Sequence, residues 1–157
     1  MDILIADEQK HLFIDQKSIV KVLEFLIEKE SIDCDALGIH LIDDKQISSL
    51  HKHYFQDPSP TDCISFPVDK PGQRDDGVCF LGEIFISTET AITYAENNQV
   101  SPYDEVLLYL IHGFLHLIGY QDIQVEDQKK MREKEKLCID MLKTHHLCLK
   151  QSAPSSS

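Results

Sequence analysis

The sequence predicts an α+β fold: a small mixed sheet of about four strands packed with about five helices. Three observations predict it. Apolar residues recur with two periods, alternating in short runs and at helical spacing in longer ones. The two kinds of run intermix without strict alternation, unlike a doubly wound parallel sheet. Finally, 42% of the 157 residues are hydrophobic, enough for a packed core and too many for wholesale disorder.

Each element has its own signal. Residues 2–6 read as a strand, and 17–29 as a helix whose Ile19, Leu23, Leu26 and Ile27 share one face, widened by Val20, Val22 and Phe25. Leu37, Ile39 and Leu41 alternate as a strand with one buried face. Asp43 or Asp44 can then cap a helix carrying Ile47, Leu50 and Tyr54. Residues 63–66 and 80–86 are two further strands. Between them, Pro67 to Gly77 is rich in Pro, Gly and Asp and is expected to be a mobile loop. A helix over 88–97 follows. The clearest start signal is Ser101-Pro102-Tyr103-Asp104, an N-cap serine with proline at the first helical position and a carboxylate at the third. That helix should run to Ile118 and stop at Gly119. A charged helix over 123–145 turns Met131, Cys138 and Leu142 inward. One domain over 1–148 is expected, with a disordered tail over 149–157, where the chain becomes Ser-rich.

Charge and cysteine content exclude several classes. Asp and Glu outnumber Lys and Arg by 27 to 15, a net charge of −12, so binding nucleic acid by a broad basic surface is excluded. Action on nucleic acid then needs a local site or delivery by another macromolecule. The longest run free of charged residues, Val106 to Gln121, falls short of the ~20 apolar residues of a membrane span. No basic segment opens the chain, so no signal peptide is expected. Five cysteines without a CxxC pair suit reduced thiols in a cytoplasmic protein with no membrane partner, with Cys63 and Cys79 as packing residues on neighbouring strands.

The chemistry is expected in the best-capped helix. His112 and His116 are four residues apart, so both imidazoles leave one helix face and can share a first-row metal. Gly119 permits a left-handed turn that brings Asp122 back as a third ligand. The pattern His-x3-His-x2-Gly-x2-Asp thus places a metal site at the C-terminal end of a central helix, with a position open to water, as in catalytic sites. Two packed core histidines are the competing reading. A helical zinc protease would carry a Glu general base directly after the first histidine, where this chain has Gly113.

Three blocks resemble one known family. His112 to Tyr120 is similar to the His-Gly-x-Leu-His-Leu-x-Gly-Tyr signature of the YbeY family of bacterial rRNA maturation factors. Thr61 to Pro67 resembles its TDVLSFP segment, and Leu81 to Ser87 its LGDI-I-S strand. Order and spacing agree over roughly residues 20–145. The resemblance implies a small α+β metal-dependent hydrolase with one zinc ion per chain bound by three histidines. It also implies single-strand-specific endoribonuclease action in 16S rRNA 3′-end maturation and ribosome quality control. Partners would be ribosomal RNA and the small ribosomal subunit with its proteins.

The chain departs from that pattern at the third histidine, where it has Asp122, and at the preceding acidic position, where it has Gln121. A carboxylate ligand is compatible with zinc but lowers the net charge at the metal from +2 to +1, which weakens Lewis acidity and relaxes selectivity toward other divalent ions. The family's arginine in its L-N-x-x-Y-R segment is replaced by Phe55. Tyr54 and Phe55 can stack bases, and Lys52 can supply charge or simply lie on a solvated helix face. Glu83 is either an edge-strand carboxylate reaching solvent or the group that orients the nucleophile. Alternation would set it beside Leu81 and Phe85. Two rival functions stay open here: a non-catalytic, metal-stabilised ribosome-assembly factor, and a metal hydrolase acting on another substrate.

Overall fold

A computed structural model describes residues 1–55 and 61–152. Its elements are β1 (Asp2–Asp7), α1 (Gln16–Lys29), β2 (Ala36–Ile42), α2 (Asp44–Phe55), β3 (Cys63–Pro67), β4 (Phe80–Ser87), α3 (Thr88–Asn98), α4 (Pro102–Leu117) and α5 (Val125–Thr144). The sheet runs β1-β2-β4-β3, with β1, β2 and β4 parallel and β3 antiparallel at the edge. This is the expected α+β architecture, with four strands in a mixed sheet and five helices.

The main core lies where α1 and α4 cover one sheet face. Ile19, Leu23 and Leu26 of α1 meet Leu37, Ile39 and Leu41 of β2, Ile84 and Ile86 of β4, and Leu110 and Phe114 of α4, all buried. Each such side chain contributes about 1.5–3 kcal/mol by leaving water. The α5 stripe of Met131, Cys138 and Leu142 closes against this core. On the opposite face α2 covers a smaller cluster of Ile42, Ile47 and Ile64, edged by Leu50, Phe66 and Phe85.

Local chemistry sets the junctions. Asp43 and Gln46 cap α2 reciprocally: the Asp43 carboxylate accepts the Gln46 N–H at 2.8 Å and the Gln46 amide oxygen accepts the Asp43 N–H at 3.0 Å. Asp44 instead ties down the start of α3, accepting the hydroxyls of Ser87 and Thr90, each at 2.6 Å.

The structure adds three details. The segment between β3 and β4 is tethered rather than free: Val68 and Asp69 keep pairing with Leu81 and Phe80, and Arg74 forks onto Asp33 and Asp35. Residues 149–152 also contact the rest of the domain. Leu149 is buried, Ile14 pairs with Gln151, and the Ser152 N–H reaches the Phe13 carbonyl, so an apolar side chain and a strand-like bridge hold residues 149–152. The rest of the expected tail, 153–157, lies outside the described residues. Third, β4 carries a register shift opposite residues 36–38, so Leu81 joins Ile84 and Ile86 on the core face instead of sharing a face with Glu83.

Candidate metal centre

The site is assembled by the end of one helix. Ser101 caps α4, its hydroxyl accepting the Tyr103 N–H at 3.2 Å, with Pro102 in the first turn. The other end closes as a Schellman turn: the Gly119 N–H bonds the His116 carbonyl and the Tyr120 N–H bonds the Leu115 carbonyl. Gly119 has φ +112°, which a residue with a Cβ adopts only under strain. The turn reverses the chain over the helix end and returns Asp122 to the face that carries His112 and His116.

Three donor atoms converge there. The Asp122 Oδ2 lies 3.3 Å from the Nε2 of His112 and 3.3 Å from that of His116, and the two Nε2 atoms are 3.0 Å apart. Ligands at ~2.0–2.1 Å from a tetrahedral ion stand about 3.3–3.4 Å from one another, so these separations suit one first-row metal.

The second nitrogens fix the tautomers. The His112 Nδ1 faces Glu135 Oε1 at 2.9 Å, and the His116 Nδ1 faces the Tyr120 carbonyl oxygen at 2.9 Å. Both partners are acceptors, so each Nδ1 carries the proton and each Nε2 presents a bare lone pair. Two lone pairs aimed at each other beside a carboxylate repel unless a cation lies between them. The residues therefore form a group able to hold a metal ion, as the spacing predicts.

Glu135 is the carboxylate that orients the His112 ring, and its place in the charged helix over 123–145 did not by itself single it out. Its side chain is only 13% exposed. The available signal was its position, since 135 falls on the same inward stripe as Met131, Cys138 and Leu142. Its hydrogen bond raises the His112 pKa above the ordinary imidazole value, against the opposing effect of burial.

Comparisons with known proteins assign the family. A family model described as Endoribonuclease YbeY matches residues 4–143. The chain belongs to the YbeY endoribonuclease family. It is 40% identical over 145 residues to Endoribonuclease YbeY of Protochlamydia amoebophila, covering 92% of this chain and 95% of that protein. To Endoribonuclease YbeY of Chlamydia trachomatis serovar D it is 34% identical over 149 residues, covering 94% and 92%. The fold is similar to a solution structure from Thermotoga maritima, with a TM-score of 0.59, 22% identity and 99% of both chains covered.

In this YbeY-family chain the donors open into a cavity of about 920 Å³. Its walls combine the end of α4 and the turn through Asp122 with β3 and the segment after it. His51 and Phe55 of α2 also line it. Tyr54 and Lys52 are not on that wall. Tyr54 packs its ring 4.8 Å from that of Phe66, and Lys52 is exposed.

Cys63 and Asp62 line the cavity as well. Burial pushes the Cys63 thiol pKa well above its ordinary value. Cys79 is buried and directly precedes β4. Glu83 is not brought to the metal donors. Ile84 faces Gly113 of α4, so alternation points Glu83 and Phe85 to the α2 side, where Glu83 bonds the His40 Nε2 at 3.0 Å. Among the described residues, no helix is long and apolar enough to cross a membrane.

Proposed function

We propose that this chain is a zinc-dependent endoribonuclease that cleaves single-stranded RNA, with ribosomal RNA of the small subunit as its substrate. The observation that carries the reading is the convergence of two imidazole lone pairs, held by Glu135 and the Tyr120 carbonyl, with the Asp122 carboxylate oxygen, in a chain of an endoribonuclease family. Nitrogen and oxygen donors in near-tetrahedral spacing favour zinc, while the anionic Asp122 admits other divalent ions.

A bound zinc would supply a Lewis acid for the phosphate and a water of lowered pKa. The residues themselves provide geometry. Glu135 and the Tyr120 carbonyl keep both imidazoles in the ligating tautomer. The wall formed by Phe55 and Val68 offers apolar surface to unstacked bases, which favours single strands over duplexes. Gly113 argues against peptide hydrolysis by a helical Glu base: a Cβ there would lie 2.6 Å from the Ile84 Cγ2, so a larger side chain fits only if Ile84 or α4 shifts.

The net charge of −12 suits a protein brought to its substrate by proteins of the small ribosomal subunit in the cytoplasm, where rRNA 3′-end maturation and ribosome quality control would take place. Metal-loaded protein incubated with single-stranded and duplex fragments of 16S rRNA tests the proposal. Cleavage confined to single strands, and lost in His116→Ala, is expected. Intact RNA with stoichiometrically metal-loaded wild type would overturn it.

A further inference from the structure

The cavity beside the metal donors has an acidic wall. Asp62, Asp69 and Asp122 all line it, and a phosphodiester entering it meets their field at close range. Among its described lining residues Lys70 carries the one ammonium or guanidinium group. We infer that Lys70 is the phosphate anchor of this cavity, its ammonium taking a non-bridging oxygen of an RNA strand lying across the metal centre. This rests on the proposed function and adds to it a residue that binds the substrate.

Two features of the loop support the assignment. The backbone at Lys70 is held on both sides. Its N–H donates to the Gln73 amide oxygen at 2.9 Å, and its carbonyl accepts the Cys79 thiol at 3.4 Å. Just before it, the Asp69 N–H bonds the Phe80 carbonyl at 3.0 Å, and the Asp69 carboxylate accepts the Phe80 N–H at 2.9 Å. The loop therefore presents Lys70 from a defined position, while its side chain is exposed.

The second feature is how the charges are divided. The segment from 68 to 79 has two cations, Lys70 and Arg74. Arg74 is spent on structure, with its guanidinium 2.7 Å from Asp33 and 3.0 Å from Asp35 at the far end of the loop. The Lys70 ammonium has no hydrogen bond or ion pair with any described residue. The neighbouring carboxylates are occupied by backbone donors: Asp69 by Phe80, and Asp62 by the Cys63 N–H at 2.7 Å. An uncommitted ammonium on a fixed loop, lining a cavity that also holds a metal-donor triad, is placed to take a phosphate as a point charge.

The test is titration of a short fluorescent single-stranded oligoribonucleotide with wild type, Lys70→Met, Lys70→Arg and, as a remote control, Lys143→Met. Binding is read in chelator and with zinc, each over a series of salt concentrations, and cleavage is followed in parallel. Lys70→Met should bind about tenfold more weakly in both conditions, as expected for one charge-assisted contact. Its slope of log affinity against log salt should be shallower by about 0.7. Lys70→Arg should restore most of the affinity, Lys143→Met should match wild type, and any cleavage loss should appear in KM rather than kcat. Unchanged affinity and salt slope in Lys70→Met, or a wild type that binds no oligonucleotide, would overturn the assignment. Weakened binding in Lys70→Met with no cleavage by wild type would leave the phosphate anchor standing and remove the endoribonuclease reading. Cleavage by wild type with an indifferent Lys70→Met would do the reverse.

Discussion

The two faces of the sheet each carry a histidine bonded to a glutamate, and only one of these pairs belongs to a metal-donor group among the described residues. On the α4 side, His112 contacts Glu135 at 2.9 Å; on the α2 side, His40 contacts Glu83 at 3.0 Å. The distances are nearly equal, but the surroundings differ. The Glu135 contact uses Nδ1 and leaves the His112 Nε2 aimed at two further donors. His40 uses its Nε2 for Glu83, and its ring stacks on Phe85 with centroids 4.1 Å apart and planes 9° apart. A histidine–carboxylate pair is therefore not by itself a metal site. What decides is where the second nitrogen points and what else meets it there.

The sharpest way to break this comparison is to delete one imidazole on each face. His116→Ala should abolish stoichiometric zinc binding by elemental analysis of untagged protein, while His40→Ala should retain the full metal content. Equal losses would show that the α4 triad is not the centre.

Replacing the two carboxylates separates the pairs by a smaller margin. Glu135→Gln should weaken metal affinity by about 10–100-fold in competition with a chromogenic chelator, because an orienting partner that also raises ligand basicity is lost. Glu83→Gln should leave the affinity unchanged. A comparable loss in both variants would mean that Glu83 communicates with the metal across the sheet.

Packing distinguishes the faces next. A Cβ at Gly113 meets the Ile84 Cγ2 at 2.6 Å, whereas one at Gly38 meets the Glu83 Cγ at an ordinary 3.4 Å. Gly113→Ala should cost about 1–3 kcal/mol from overpacking, reduced by up to ~1 kcal/mol of gained helix propensity. Gly38→Ala should change stability by less than about 1 kcal/mol. Thermal melts of the two metal-free variants check the difference.

The smallest effect is expected from a charge cluster outside both pairs. Hydrogen bonds from Arg74 hold the Asp33 and Asp35 carboxyls below their ordinary pKa. Because the folded-state values are lowered, the stabilisation is present above the unfolded carboxyl pKa of about 4 and is lost as pH falls through the folded-state values. Wild type should therefore melt slightly above Arg74→Ala near neutral pH, with the gap closing in acid. A gap that widens below pH ~4 would contradict the sign.

Much of the candidate metal centre was legible because it is local. His112 and His116 share a face by helical spacing, Ser101 and Gly119 mark where that face begins and ends, and Asp122 follows the turn that Gly119 permits. The core stripes of α1 and α5 were legible for the same reason, as was the mixture of elements that makes the fold α+β. Glu135 was half legible: its place on the Met131–Leu142 stripe marked it as inward, but its partner is 23 residues away in sequence.

What the sequence determined by itself were properties of short segments, where covalent geometry and helical or strand periodicity dictate which side chains meet. Tertiary structure decided the rest. A register shift in β4 moved Leu81 to the core face, and alternation after it carried Glu83 away from the donors it was expected to serve. Packing of α5 supplied the carboxylate that sets the His112 tautomer, and the pairing of Arg74 with β2's approach left Lys70 as the cation at the cavity. These outcomes depend on contacts between segments far apart in the chain, and no local period encodes which distant neighbour a side chain will meet.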